Sequence, residues 1–220
     1  MTKRTIEDRL REEYFDLLPE INRVLWQLEA EIRFYTLPIL HSLKSYEKLV
    51  VESRVKECES ALTTLKTFSL KNEIEENEGR VLDPERSGDY SILNLPDLAG
   101  VRVLVFPNSK LVEVDNALRD HFRNWTCKPV KDDGGAILAP KYFGYCDKVS
   151  SKVRGEYQVV PMLLGLFWKV EHSAMYKYKA VANFEEMKQK RSDVERALSS
   201  FEEGLENFVR SYTEPSSETS

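Results

Sequence analysis

Asp97 and Glu156 are the carboxylates best placed to do chemistry in this chain. Asp97 precedes the alternating run Val101 to Phe106, and Glu156 lies in the run Gly155 to Pro161. Both runs read as strands, the first as an interior one, apolar on both faces. If the two strands are neighbours in one sheet, the carboxylates meet. Such a pair can hold Mg²⁺, which takes few protein carboxylates and keeps positions open for phosphate oxygens. Arg54, Lys56 and Arg102 add positive charge. An acid–metal centre ringed by bases suits phosphoryl transfer, where cations neutralise charge and positioning does most of the work. The same acids could serve glycoside hydrolysis, but Arg54 and Lys56 would then have no task. A plainer alternative is Asp97 opening a turn, with Arg102 as its salt-bridge partner.

The elements that must position these residues are legible in outline. Residues 5–50 read as helix from the spacing of Tyr14, Leu18, Ile21, Leu25, Leu28, Ile32 and Tyr35, with a break or kink expected near Leu18 because of Pro19. Residues 51–68 lead into a second helix. Arg54, Lys56 and Ser60 lie around its start, where free N–H groups and the dipole favour phosphate, and Lys66 lies further on. Residues 69–95 form a polar connector, part of it a short hairpin. Lys110 to Phe122 has a helical pattern, Trp125 to Val130 reads as a strand, and Asp132-Asp133-Gly134-Gly135 is a turn signal. In Gly155–Pro161, Glu156 and Gln158 share one face and Tyr157 and Val159 the other. A helix over 162–180 carries Trp168, His172 and Tyr176 on one stripe. A last helix over 183–211 has a heptad-like pattern of Met187, Val194, Leu198, Phe201, Leu205 and Phe208. Residues 212–220 read as a disordered tail.

Composition narrows the class. The 220 residues fit one domain, 1–211, with a helical extension (5–50), a core (51–180) and a C-terminal helix. A net charge of −5 argues against a chain wrapped in nucleic acid but not against a local basic patch such as Lys141, Lys148, Lys152 and Arg154. Three scattered cysteines suggest neither a disulfide framework nor a zinc site, although Cys146 beside Tyr145 is a candidate for oxidation. No apolar stretch approaches the ~20 residues of a membrane span, and the N-terminus has no signal-peptide core. A cytoplasmic location is expected.

Four stretches, in order, resemble the synthetase domain of the RelA/SpoT family, especially its small alarmone synthetases. Arg54-Val55-Lys56 with Ser60 is similar to the ATP-binding R-x-K-x-x-x-S segment. Asp97-Leu98-Ala99-Gly100-Val101-Arg102 resembles the D-[IL]-A-G-[IV]-R segment. Gly144-Tyr145 resembles the acceptor loop, and Glu156-Tyr157-Gln158 the E-x-Q strand. Trp168 to Lys177 is similar to the closing W-x-x-x-E-H-x-x-x-Y-K helix, with Glu171, His172, Tyr176 and Lys177 in place. The resemblance covers roughly residues 20 to 180.

It implies an α+β fold: a nucleotidyltransferase-like mixed sheet flanked by helices, with helical extensions at both ends. It implies a pyrophosphokinase that moves the β,γ-diphosphate of ATP to the 3′-hydroxyl of GDP or GTP and releases AMP. Arg54, Lys56, Ser60, Lys66 and Arg102 would bind ATP. Asp97 and Glu156 would be catalytic and hold Mg²⁺. Tyr145, Gln158 and His172 would bind the acceptor. The chain departs from the pattern after Tyr145, where Cys146-Asp147-Lys148-Val149 replaces x-[SA]-x-H, and after Gln158, where Val159-Val160-Pro161 replaces basic residues. The altered acceptor side admits a toxin-type relative, which would act on the 3′ end of tRNA or on adenosine nucleotides and could carry an antitoxin partner. A third reading is an inactive binding or assembly module. The heptad-like terminal helices offer a homo-oligomer contact.

Overall fold

The computed structural model describes residues 5–66, 91–146, 148–177 and 184–213, with side chains through 173 and again from 186. The expected hairpin in the connector, the side chains of Tyr176 and Lys177, and the tail beyond Thr213 lie outside the described residues.

Helix α1 (Ile6–Ser42) opens on a capping box in which the Thr5 hydroxyl accepts the Asp8 amide and the Asp8 carboxylate accepts the Thr5 amide. Pro19 and Pro38 lie inside it without ending it, so the break expected near Leu18 does not occur. An interior proline costs a helix about 3 kcal/mol. The buried stripe of Ile21, Val24, Leu25, Leu28, Ile32 and Ile39 offsets this, at about 1.5–3 kcal/mol per aliphatic side chain.

The helix also ends earlier than its periodicity predicts. Strand β1 (Lys48–Val55) occupies the stretch expected to be helical, and helix α2, described over 58–66, follows it. β1 is an edge strand whose half-exposed face carries Lys48, Glu52 and Arg54, so it shows neither a buried run nor clean alternation. Arg54 therefore stands on a strand rather than at a helix start.

Strand β2 (Ala99–Phe106) is the interior strand expected, and helix α3 (Leu111–His121) follows it. Two short strands, β3 (Thr126–Cys127) and β4 (Val130–Lys131), replace the single strand expected over 125–130. β4 pairs with β5 (Ile137–Ala139) around the Asp132–Gly135 turn, where Gly135 has φ +85 and Asp132 accepts the Ala136 amide. β6 (Lys141–Tyr145) and β7 (Arg154–Pro161) complete a five-stranded sheet in the order β1-β2-β7-β6-β3. β2 and β7 are parallel; the other pairs are antiparallel. Helices α4 (Met162–Lys177) and α5 (Phe184–Thr213) end the described chain.

The sheet has a helix layer on each face. Val101, Val103, Val105, Tyr157 and Val159 face the main core with α1, α2 and α3. Leu104 and Val160 face a smaller core with Leu164 and Trp168 of α4. Cys146 packs in the main core, which removes it as an exposed thiol. Among the described residues no helix is long and apolar enough to cross a membrane.

Gly144, beside Tyr145, lies under the face of the Trp125 indole: a Cβ there would sit 2.4 Å from the ring. Trp125 is itself packed on Phe122 and Tyr157. Gly144→Ala is therefore expected to destabilise the fold by about 1–3 kcal/mol, an overpacking cost. Urea denaturation checks this, and an unchanged midpoint would contradict the packing described.

Candidate active site

The sheet register assembles the site. Arg54 pairs with Gly100, and Gly100 with Glu156. One row further along, Glu52 pairs with Arg102, Arg102 with Gln158, and Gln158 with Lys141. Directly opposed residues share a face, so both rows lie on the α4 side. The same alternation brings Lys141, Phe143 and Tyr145 to that face. The Arg54 side chain lies across Gly100, with Cγ 3.7 Å from where a Cβ would be.

The β1–β2 ladder continues past β1. The Lys56 amide donates to Leu98 O (2.9 Å), and the Tyr14 hydroxyl donates to Lys56 O (2.7 Å). These bonds fix Lys56 beside the turn before β2, where its Nζ reaches Asp97 Oδ2 at 2.6 Å. Arg102 is not the partner of Asp97. Its Nε donates to Gln158 Oε1 (3.3 Å), its Nη1 reaches Gly165 O (3.4 Å), and its guanidinium lies 5.7 Å from the Trp168 ring centroid. Asp97 is thus paired with Lys56, and the alternative of a salt bridge to Arg102 does not hold, because the alternation of β2 sends Arg102 along the sheet face under α4.

Glu156 is buried. Its Oε1 accepts the Gln158 amide at 2.6 Å, and its Oε2 lies 3.9 Å from Lys141 Nζ. Burial raises its pKa, the Lys141 ammonium pulls it down, and Asp97 pushes it up again. The acids are therefore close enough to repel, which is the disposition a shared divalent cation relieves. Among the described residues no group of three or more His, Cys, Asp or Glu is gathered to hold a metal ion. A pair of carboxylates fits Mg²⁺, which is commonly held by one or two carboxylates plus substrate phosphates.

Cations dominate the other side. Burial, and then Arg54, hold the Arg102 guanidinium below its usual range, while Glu156 and Glu52 oppose this. His172 is held below the usual imidazole value by burial, then by Arg54 and Lys56, with Glu57 opposing. Arg54, Lys56 and Arg102 thus form one positive cluster beside the acids, and His172, held toward its neutral form, stands by it. A cluster of this kind favours a polyanion.

Helix α5 backs the site with carboxylates. Glu195 accepts the buried Trp168 indole N–H at 2.7 Å. Glu202 accepts the Leu163 amide in the first turn of α4 at 2.7 Å. Glu206 accepts the Ser109 amide at 3.3 Å. Carboxylates at exposed helix-start amides are stabilising.

The expected residues come together with two departures. Arg54, Lys56, Asp97, Arg102, Glu156, Gln158 and Tyr145 share one face or its rim, and Ser60 lies on the first turns of α2. Lys66 stands further along α2 with its ammonium on Glu7 of α1, away from the acids. His172 lies with the cations assigned to ATP rather than with Tyr145. Lys141, which the sequence groups with a basic patch, stands instead 3.9 Å from Glu156, and Trp168, buried in the smaller core, also lies 5.7 Å from the Arg102 guanidinium. A period of two from Tyr145 back to Lys141 was the available signal for the first. Glu195 carried none, because a glutamate on a charged helix is ordinary.

Glu195→Ala leaves the Trp168 N–H buried without its acceptor, a loss of about 1–3 kcal/mol. Glu195→Gln keeps an acceptor oxygen and is expected to lose less. Urea melts of both variants check this; equal losses would contradict a role for the hydrogen bond.

No family model and no curated protein matches the chain. Solved structures do. Small alarmone synthetase 1 from Bacillus subtilis matches with a TM-score of 0.60 at 17% identity, covering 92% of this chain and 99% of that one. The same enzyme bound to its product pppGpp gives 0.63 at 17%, covering 90% and 96%. A GTP pyrophosphokinase family protein from Streptococcus pneumoniae gives 0.55 at 17%, covering 91% and 96%. Over nine-tenths of its length, the chain has the fold of the small alarmone synthetases.

Proposed function

We propose that the chain is an ATP-dependent pyrophosphokinase of the RelA/SpoT type, acting on GDP or GTP. The observation that carries this reading is the juxtaposition of Asp97 and Glu156 with Arg54, Lys56 and Arg102 on one sheet face. The cations bind the ATP triphosphate. Arg102, 5.7 Å from the Trp168 ring centroid and anchored on Gln158 and Gly165, holds its position as the charge shifts. Asp97 and Glu156 would hold Mg²⁺, which when bound would neutralise charge on the transferring diphosphate. Glu156 takes the proton from the attacking 3′-hydroxyl. Gln158 keeps that carboxylate oriented through the 2.6 Å bond. Tyr145 stacks on the acceptor base. The 3′-oxygen bonds to the β-phosphorus of ATP as the α,β-bridge breaks, and AMP leaves. ATP as donor places the reaction in the cytoplasm.

One observation favours a second acceptor, the 3′ end of tRNA. Tyr145 is 43% exposed, on a rim that also carries exposed Lys148 and Lys152. A base stacked there stays within reach of a longer phosphate backbone.

Purified protein with Mg²⁺ and ATP labelled at the γ-phosphate, offered GDP, GTP, ATP or bulk tRNA separately, decides between them. Label in GDP or GTP is expected. Label in tRNA alone would sink the nucleotide reading, and no transfer to any acceptor would sink both. Asp97→Asn and Glu156→Gln are each expected to cut turnover by about 100-fold or more while the thermal melt survives. Wild-type rates in either variant would remove the assignment. Tyr145→Ala is expected to raise the acceptor KM about tenfold, from a lost stacking energy of about 1–3 kcal/mol, and to leave ATP affinity unchanged.

A further inference from the structure

Helix α4 advances over the sheet in step with the strands beneath it. Leu164 packs with Leu104 in the smaller core, and Trp168, one turn on, faces Arg102. Two turns of helix advance about 12 Å and four strand residues about 13 Å, so the match carries on to the next turn. It brings His172 to the row of Gly100 and Arg54. Lys169 pins the same stretch of α4 to the edge strand, with Nζ 2.9 Å from Glu52 Oε1. Gly100 has no side chain, and the Arg54 side chain lies across it, Cγ 3.7 Å from where a Cβ would be. The charged groups that face His172 are Arg54 from β1, Lys56 and Glu57 from the segment before α2, and Arg102 from β2. On its own helix, Lys169 is engaged by Glu52, and Glu171 by Arg191 of α5. Three cations against one carboxylate keep the imidazole neutral while the site holds no ligand.

We propose that His172 is a donor-side phosphate ligand that takes up a proton from solvent as ATP binds, its imidazolium then donating to the triphosphate. The inference rests on the reading above, because the charge that reverses the local field is that of ATP. A triphosphate on Arg54, Lys56 and Arg102 turns the surroundings of the ring from positive to negative, and an imidazole answers such a change within the neutral pH range. A charged ring beside a phosphate also makes a stronger hydrogen bond than a neutral one. The sign follows. The ring is neutral in the free protein and charged in the complex, so ATP binds more tightly as pH falls through the imidazole range, and the dependence is lost at higher pH, where both states are neutral. The acceptor does not supply this charge: Tyr145 stands on β6, on the far side of β7 from Arg54 and Arg102.

Titration calorimetry of the full chain with Mg²⁺ and α,β-methylene ATP, whose α,β-bridge does not break, tests it. Runs at one pH in buffers of different ionisation enthalpy read the protons taken up. At pH 7 the wild type is expected to take up about 0.3–1 proton more per nucleotide than His172→Asn. Its affinity is expected to rise about threefold or more from pH 8 to pH 6, and that of the variant to rise less. His41→Asn, which removes an imidazole in the last turn of α1, is expected to match the wild type. Equal uptake in the wild type and His172→Asn would overturn the proposal and leave the pyrophosphokinase reading standing. So would uptake that depends on His172 when GDP is titrated in place of the ATP analogue. No binding of the analogue to the wild type would overturn both. Should His172→Asn fail to fold, the NMR titration of the His172 ring in the wild type reads the same linkage: the analogue is expected to move its midpoint to higher pH, and an unmoved midpoint would overturn the proposal.

Discussion

The parallel pairing of β2 with β7 is the constraint on which the site depends. Its register sets Gly100 beside Glu156 and Arg102 beside Gln158. The turn before β2 then holds Asp97 at the same end of the sheet as Glu156, and the antiparallel β1 brings Arg54 and Lys56 to that end from the other direction. A slip of one residue in either ladder would turn Arg102 and Glu156 into the main core. The apolar alternation of both strands prevents it: Val101, Val103 and Val105 on β2, and Tyr157 and Val159 on β7, are fully or almost fully buried on the opposite face. The core thus fixes the site, although none of its residues takes part.

The site stores unfavourable electrostatics. Glu156 is buried with Asp97 nearby, and Arg102 is half-buried near Arg54. Buried charges are tolerated when hydrogen-bonded and paired. Gln158 does much of this by donating to Glu156 and accepting from Arg102, so one amide links the acid half to the basic half. A polyphosphate with a divalent cation would relieve both repulsions at once, the cation at the acids and the phosphates at the bases. The same arrangement explains why α4 needs α5: Glu195 and Glu202 hold the helix that presents Trp168 and His172 to the cations.

Much of this was legible in the sequence where local pattern and burial agree. β2, α3, the Asp132–Gly135 turn and the alternation of β7 read directly. Asp97 and Glu156 could be paired because each borders a buried strand. β1 was not legible, since an edge strand with Lys48, Glu52 and Arg54 on it carries little apolar signal and adjoins a strong helical period. The continuity of α1 through Pro19 and Pro38 rests on tertiary burial that local propensity does not contain. The heptad in α5 was visible, but a period defines a face and not what that face meets. Glutamates that cap another helix look like solvent residues until the second helix is in place. The partner of Asp97 was not legible either: the alternative of Arg102 rested on sequence proximity, and the ladder supplied Lys56.

The central claim is that the centre moves a diphosphate as a unit. The most direct measurement uses ATP labelled in parallel at the β- and at the γ-phosphate, with separation of all nucleotide products. The account predicts both labels in the acceptor product in equal amounts, with AMP formed in the same amount. Label from the γ-position alone, with ADP as the other product, would contradict it.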